Sequence, residues 1–153
     1  MIIGLGIDLI NIDRLNRVLR KYGTRFTTRV YTISERRKAE NRANVSETYA
    51  KRWAAKEAVI KALGMKSNMG FNWRDIRITN KISGQPTVLL SGKPYTRLCQ
   101  ILPKNHKANI SLSITDDRPW AQAMVIIEAL PISPNVLFKK ATIDNFTRKR
   151  VGE

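Results

Sequence analysis

Residues 46–63 read SETYAKRWAAKEAVIKAL, and Gly64 follows. No proline or glycine interrupts this stretch, so it predicts the longest helix of the chain. Ser46 can open that helix and Gly64 can close it. Trp53, Glu57 and Lys61 recur at i, i+4 and i+8 and share one face. Ala50 and Ala54 lie on the same side and are small. A carboxylate in an apolar, small-residue stripe is costly to bury unless something pairs with it. Two partners are open to Glu57: Lys61 through a helix salt bridge, or a metal ion.

A second carboxylate lies far upstream. The N-terminus MIIGLGIDLIN predicts a strand over residues 2–10, and Asp8 interrupts its apolar run. A charge in such a strand needs a partner. Gly4 and Gly6 would let a ligand or another backbone approach closely. Asp8 either ends the strand and caps the next helix, or it joins Glu57 as an oxygen ligand. Two carboxylates from separate elements suit Mg²⁺, which also takes water and substrate phosphates. An Asp, a Glu and an adjacent Lys are chemically apt for a diphosphate.

Outward from these two segments the chain alternates helices and hairpins. Asn11 or Asp13 can cap a helix to about residue 22, with Leu15, Val18, Leu19 and Tyr22 as its apolar stripe. Arg14, Arg17, Arg20 and Lys21 fall largely off that stripe and form a basic face. Thr32-x-x-Glu35 resembles a capping box and opens a short helix to about Arg42. Strands are expected over 75–80 and 86–91, joined by KISGQ, then a helix over 91–102. A second hairpin is expected from 109–115 and 120–129 around DDRP.

One domain is expected for 153 residues. Its core part should span 1–130. Residues 131–153 carry five basic and two acidic residues and read as a basic, flexible or loosely docked extension. The net charge is +16, of which +13 remains without that extension. Such a surface attracts polyanions: nucleic acid, an anionic membrane, or an acidic protein with a phosphorylated substrate. No zinc-finger spacing, aromatic RNA-binding signature or GxxG clamp is present, so the nucleic-acid option rests on charge alone. No stretch approaches the ~20 apolar residues of a membrane span. The apolar N-terminus lacks a basic lead and is not expected to be a signal peptide. Cys99 is the single cysteine, which excludes an internal disulfide and fits a reducing compartment.

Two ordered signatures then carry a resemblance. The opening GLGIDLINIDR resembles the Gly-Ile-Asp motif of the holo-[acyl-carrier-protein] synthase family, part of the 4'-phosphopantetheinyl transferase superfamily. Gly6, Ile7, Asp8 and Arg14 meet it. WAAKEAVIKALG is similar to the family's second signature, and GFNWRDIRI, SGQP, NISLSITDD and AQAMVIIE match the remainder in order. The likeness covers residues 1–129.

The resemblance implies an α+β fold, with a distorted, mostly antiparallel sheet packed on the long central helix. It implies transfer of 4'-phosphopantetheine from coenzyme A to a serine of apo acyl carrier protein, supporting fatty acid biosynthesis, with release of 3',5'-ADP. Asp8 and Glu57 would hold Mg²⁺, and Lys61 would neutralise phosphate charge. Glu57, directly or through a metal-bound water, would accept the serine proton. Lys56 has two readings, a phosphate contact or a solvated lysine. Pro86, Ser111 and Ser113 would line the coenzyme A groove, or serve only the hairpin and the sheet. Arg14, with Arg17 and Lys21 by helical phase, would dock the acidic carrier.

Small members assemble as homotrimers with sites between subunits, and a cytoplasmic location follows; neither nucleic acid nor membrane is then a partner. Where many relatives carry a histidine after Ser-x-Ser, this chain has Ile114, and His106 falls in a polar loop. No Ser-His scheme is therefore expected. The rivals are a basic nucleic-acid-binding module and a non-catalytic binder of carrier or coenzyme A.

Overall fold

Asn11 closes the first strand, β1 (Ile2–Asn11), and caps the first helix, α1 (Ile12–Val30), by accepting the Arg14 backbone N–H at 2.9 Å. The structure is a computed structural model and describes residues 1–66 and 68–132. The elements that follow are α2 (Ile33–Glu40), α3 (Val45–Ala62), β2 (Ile76–Asn80), β3 (Pro86–Leu90), α4 (Gly92–Ile101), β4 (His106–Asp117) and β5 (Trp120–Pro131). A single 3-10 turn, Trp73–Asp75, precedes β2.

β1, β5 and β4 form one antiparallel sheet in that order, and β2 pairs with β3 in a separate antiparallel hairpin. The sheet buries one face through the two-residue side-chain alternation of strands. Ala121, Ala123, Val125, Ile127 and Ala129 of β5 are all fully buried. Against them pack Ala54, Ala55, Ala58, Val59 and Ala62 of α3. The expected sheet on a long central helix is therefore observed.

Close approach rather than bulk sets the β1–α3 contact. A Cβ at Gly6 would collide with the carbonyl oxygen of Ala58, and one at Gly4 with that of Ala62. The glycines thus admit a backbone. A second cluster, with Ile12, Leu15, Val30, Tyr31, Tyr49 and Ala121, fastens α1 to the N-terminal part of α3.

The first helix departs from expectation. It does not stop near Tyr22 but bends at Gly23, where φ is 49° and ψ is −129°, and continues to Val30. Only a residue without Cβ takes that conformation cheaply. The bend carries Tyr22 off the buried stripe, leaving it 48% exposed, and turns Phe26, Thr27 and Val30 inward. The Thr32–Glu35 capping box forms as expected, and Gly64 takes a φ of 61° just past α3. β4 and β5 each run 12 residues, longer than the alternation suggested. β5 also includes Pro131, expected to begin the extension; from residue 133 onward that extension lies outside the described residues. No helix among the described residues is long and apolar enough to cross a membrane.

Candidate active site

The β1–α3 contact decides the site. Seating Gly4 and Gly6 on α3 brings Asp8, two residues further along the same face of β1, beside the helix face that carries Glu57 and Lys61. Lys61 Nζ donates to Asp8 Oδ1 at 2.7 Å and to the Ile7 carbonyl at 2.9 Å. Asp8 therefore neither ends the strand nor caps α1. It sits mid-strand, opposite the buried Ala123 of β5.

The helix salt bridge between Glu57 and Lys61 does not form, because Lys61 reaches Asp8 instead. Among the described residues Glu57 has no hydrogen-bond or ion-pair partner. It is half-buried. Burial pushes the Glu57 carboxyl up, and the nearby Asp8 pushes it further, against the opposing pull of Lys61. Asp8, Glu57, Arg14, Trp53, Phe26 and Trp120 line one groove of about 540 Å³. Trp53 lies between two other rings, with centroids 5.8 Å from Phe26 and 4.9 Å from Trp73.

Could the groove hold a cation? Among the described residues no three His, Cys, Asp or Glu side chains converge, so no all-protein cage exists. Two carboxylates, one of them unpartnered, fit a hard cation that keeps waters and takes substrate phosphate oxygens. The residues present therefore suit Mg²⁺ in the presence of a diphosphate and do not suit a structural zinc site.

Lys56 is a correction. Both readings from sequence had it reaching solvent or a phosphate, and it does neither. It is fully buried, and its Nζ donates to Glu35 Oε2 at 3.1 Å, to the Trp73 carbonyl at 3.0 Å and to the Ile76 carbonyl. Its three protons are thus committed inside the protein. Glu35 completes the capping box of α2 and also takes Lys56, a second role that the Thr32-x-x-Glu35 spacing does not signal.

The α1 residues divide by position. Arg14 lines the groove from its rim. Arg17 and Lys21 lie further along α1, both exposed, and the Lys21 ammonium sits 5.2 Å from the Tyr22 ring centroid. Neither borders the groove.

Pro86, Ser111 and Ser113 are not beside Asp8 and Glu57 in this chain. Pro86 starts β3 and lines a second groove of about 580 Å³ with Lys38, Arg42, Lys51, Arg52 and Ile114. Composition had given no hint of that groove, because its cations come from α2, α3 and the loop between them. Its two carboxylates are engaged: Glu47 with Lys51 at 3.3 Å and Asp116 with Lys51 at 3.0 Å. Arg52 is buried there, and its Nε has no hydrogen-bond partner among the described residues. Ser111 and Ser113 point away from α3. In register they stand beside Ile126 and Met124 of β5, which oppose Leu5 and Ile7 of β1. Asp8 aligns instead with Ala123 and Ile114, on the other face of the sheet.

Known proteins are similar to this chain along most of its length. The sequence profile of the 4'-phosphopantetheinyl transferase superfamily matches residues 4–121. A holo-[acyl-carrier-protein] synthase of Dinoroseobacter shibae is 52% identical over 132 residues, covering 86% of this chain and 95% of the relative. The crystal structure of holo-[acyl-carrier-protein] synthase from Neisseria meningitidis superposes with a TM-score of 0.71 at 29% identity, covering 84% of this chain and 99% of that one. The enzyme of Bacillus anthracis, solved in complex with CoA (3',5'-ADP), has a TM-score of 0.64 at 30% identity over 85% of this chain and 98% of its own. A mid-strand Asp set against a Lys-Glu helix, together with similarity of this extent, places the chain in the holo-[acyl-carrier-protein] synthase family of the 4'-phosphopantetheinyl transferase superfamily.

Proposed function

We propose that the chain transfers 4'-phosphopantetheine from coenzyme A to a serine of apo acyl carrier protein, and that the Asp8–Glu57–Lys61 groove is where transfer occurs. The observation that carries this is Glu57: a half-buried carboxylate, without a partner among the described residues, next to a second carboxylate and a lysine. The serine oxygen attacks the phosphorus that bears pantetheine. A P–O bond forms to serine, the P–O bond to the bridging oxygen breaks, and 3',5'-ADP leaves. Such transfer depends on positioning and charge stabilisation more than on covalent chemistry. Mg²⁺ held by Asp8 and Glu57 would supply charge neutralisation at the diphosphate.

The residues of the chain account for the rest. Glu57, directly or through a metal-bound water, takes the serine proton, a role open to a carboxyl that no protein group among the described residues engages. Lys61, 50% exposed yet fixed to Asp8, presents its ammonium to the phosphates. Arg14 at the rim, with Arg17 and Lys21 beyond it, meets the acidic carrier. That complementarity acts chiefly on encounter rate and specificity.

We further propose a homotrimer with shared sites. Two features support it. Leu5, Ile7 and Leu9 of β1 and Met124 of β5 form an outward apolar face, with exposures of 64%, 50%, 56% and 40%. Soluble chains seldom leave such a face uncovered. Ser111 and Ser113 also lie on that face, opposite to Asp8, so one chain cannot bring them to its own groove. A neighbouring copy would bring its sheet face and its Pro86–Arg42–Arg52 groove to this chain's Asp8 and Glu57. The cations that line that groove, Lys38 and Arg42 among them, suit the phosphates at the nucleotide end of coenzyme A. The setting proposed is cytoplasmic, with fatty acid biosynthesis as the process served.

The decisive experiment incubates the protein with coenzyme A, Mg²⁺ and an apo carrier. A mass gain of one phosphopantetheine on the carrier, abolished by chelation, supports the proposal. Several apo carriers left unmodified would overturn it and favour a binding role. Light scattering tests assembly: a monomer at assay concentration would remove the shared-site arrangement.

A further inference from the structure

Lys56 and Glu57 are consecutive, yet one is sealed inside and the other faces the groove. We propose that the buried Glu35–Lys56 pair is a positioning device that sets the rotation of α3 and so aims Glu57, a claim that rests on the transferase reading for its effect on turnover.

The pair is saturated. Glu35 Oε1 accepts the Ile78 backbone N–H at 3.0 Å. Glu35 Oε2 accepts the Thr32 N–H at 2.8 Å, the Thr32 hydroxyl at 2.9 Å and the Lys56 ammonium. Lys56 adds the carbonyls of Trp73 and Ile76. Through these bonds α2, α3, the 3-10 turn and β2 meet at one point with both side chains fully buried. Loss of the lysine would remove this donor from the Trp73 and Ile76 carbonyls and leave the buried Glu35 charge without its ion-pair partner.

The bonds act on the groove by two routes. Adjacent helix positions differ by about 100° of rotation, so pinning residue 56 fixes where residue 57 points. On its other flank α3 is pinned by the seat of Gly4 and Gly6 on Ala58 and Ala62. Glu57 is held between these two restraints. The second route runs through Trp73. Its carbonyl is held by Lys56, and its ring packs on Trp53 at 4.9 Å, with Phe71 at 4.9 Å on its edge. Trp53 lies one turn before Glu57 and forms the groove wall. A buried ion pair is a poor way to gain stability, since well-packed apolar residues often do as well. What it supplies is direction.

The test uses Lys56→Met and, because the single change leaves the buried Glu35 without its ion-pair partner, the double variant Glu35→Gln with Lys56→Met. The double variant should keep the far-ultraviolet circular dichroism of the wild type. Its near-ultraviolet bands from the Trp53–Trp73 pair should change. At temperatures well below its melting point kcat should fall by about ten- to a hundredfold, while KM for coenzyme A stays within about twofold.

Wild-type near-ultraviolet bands in a folded double variant would overturn the proposal. So would wild-type kcat, or a rise in KM that matches the fall in kcat. If the wild type itself modifies no carrier, the transferase reading fails, and the spectra still decide whether the pair orders the tryptophans.

Discussion

α3 carries two lysine–carboxylate sites, and they differ in what is left unsatisfied. At the interior site Glu35 and Lys56 are both fully buried, and each has its hydrogen bonds filled by protein groups. At the groove Lys61 is half exposed on Asp8, and Glu57 has no partner among the described residues. The residue types are the same; the degree of saturation is not. A saturated buried pair can hold elements together but has nothing left to offer a ligand. An open carboxylate whose charge is resisted by its surroundings is an incomplete site, and a cation or a proton completes it.

The sharpest break of this contrast is Glu57→Gln. Transfer should fall by at least about 100-fold, read as phosphopantetheine mass on the carrier, while the fold persists. A variant with near-normal turnover would remove Glu57 from the chemistry. Next is Lys56→Met, which should lower unfolding free energy by about 3–5 kcal/mol by stranding Glu35, measured by urea denaturation. The double variant should recover only part of that loss, because the Trp73 and Ile76 carbonyls still lack the lysine donor. If the single change is harmless, the interior site is not the saturated hub described.

Charge reversal at the rim comes third. Arg14→Glu should weaken carrier binding far more than coenzyme A binding, with a shallower salt dependence, as titration calorimetry can read. Equal losses in both would count against docking on α1.

The smallest effect is on stability against pH. The raised pKa of Glu57 means that the folded chain holds this proton more tightly than the unfolded chain. Ionisation therefore costs stability, and the cost is complete once pH exceeds the folded value. Glu57→Gln should melt higher than the wild type at neutral pH, and the advantage should vanish below about 4.3, where the unfolded carboxyl is also protonated. An advantage that persists in acid would show that the substitution acts through packing instead. Lys61→Met, which breaks only a partly exposed pair, should change stability by no more than about 1 kcal/mol.

Much of the fold was legible. Proline-free periodicity marked α3, the Thr32–Glu35 spacing marked α2, and alternation marked the strands. The kink at Gly23 was not, because a glycine after an amphipathic run reads as a stop; only the burial of Phe26 and Val30 makes continuation favourable. Within the site, Asp8 and Glu57 were legible as charges that apolar neighbours make costly, and Lys61 by its helical spacing from Glu57. Which lysine served which carboxylate was not legible. Lys61 is one helical turn from Glu57 in sequence but bonds Asp8, and Lys56 bonds Glu35, 21 residues away. Pairing across elements follows the packing of glycine on alanine, and a helix viewed alone contains none of it.

The order of residues determined by itself that a long alanine-rich helix must be covered, that a glycine-spaced strand admits a close backbone, and that two carboxylates in apolar surroundings need partners. The tertiary structure alone decided which of the neighbouring side chains at 56 and 57 was sealed and which was left open. The reason is geometric: one residue step turns a helix by about 100°, and what stands in the new direction, interior carbonyls or an open groove, is set by segments distant along the chain.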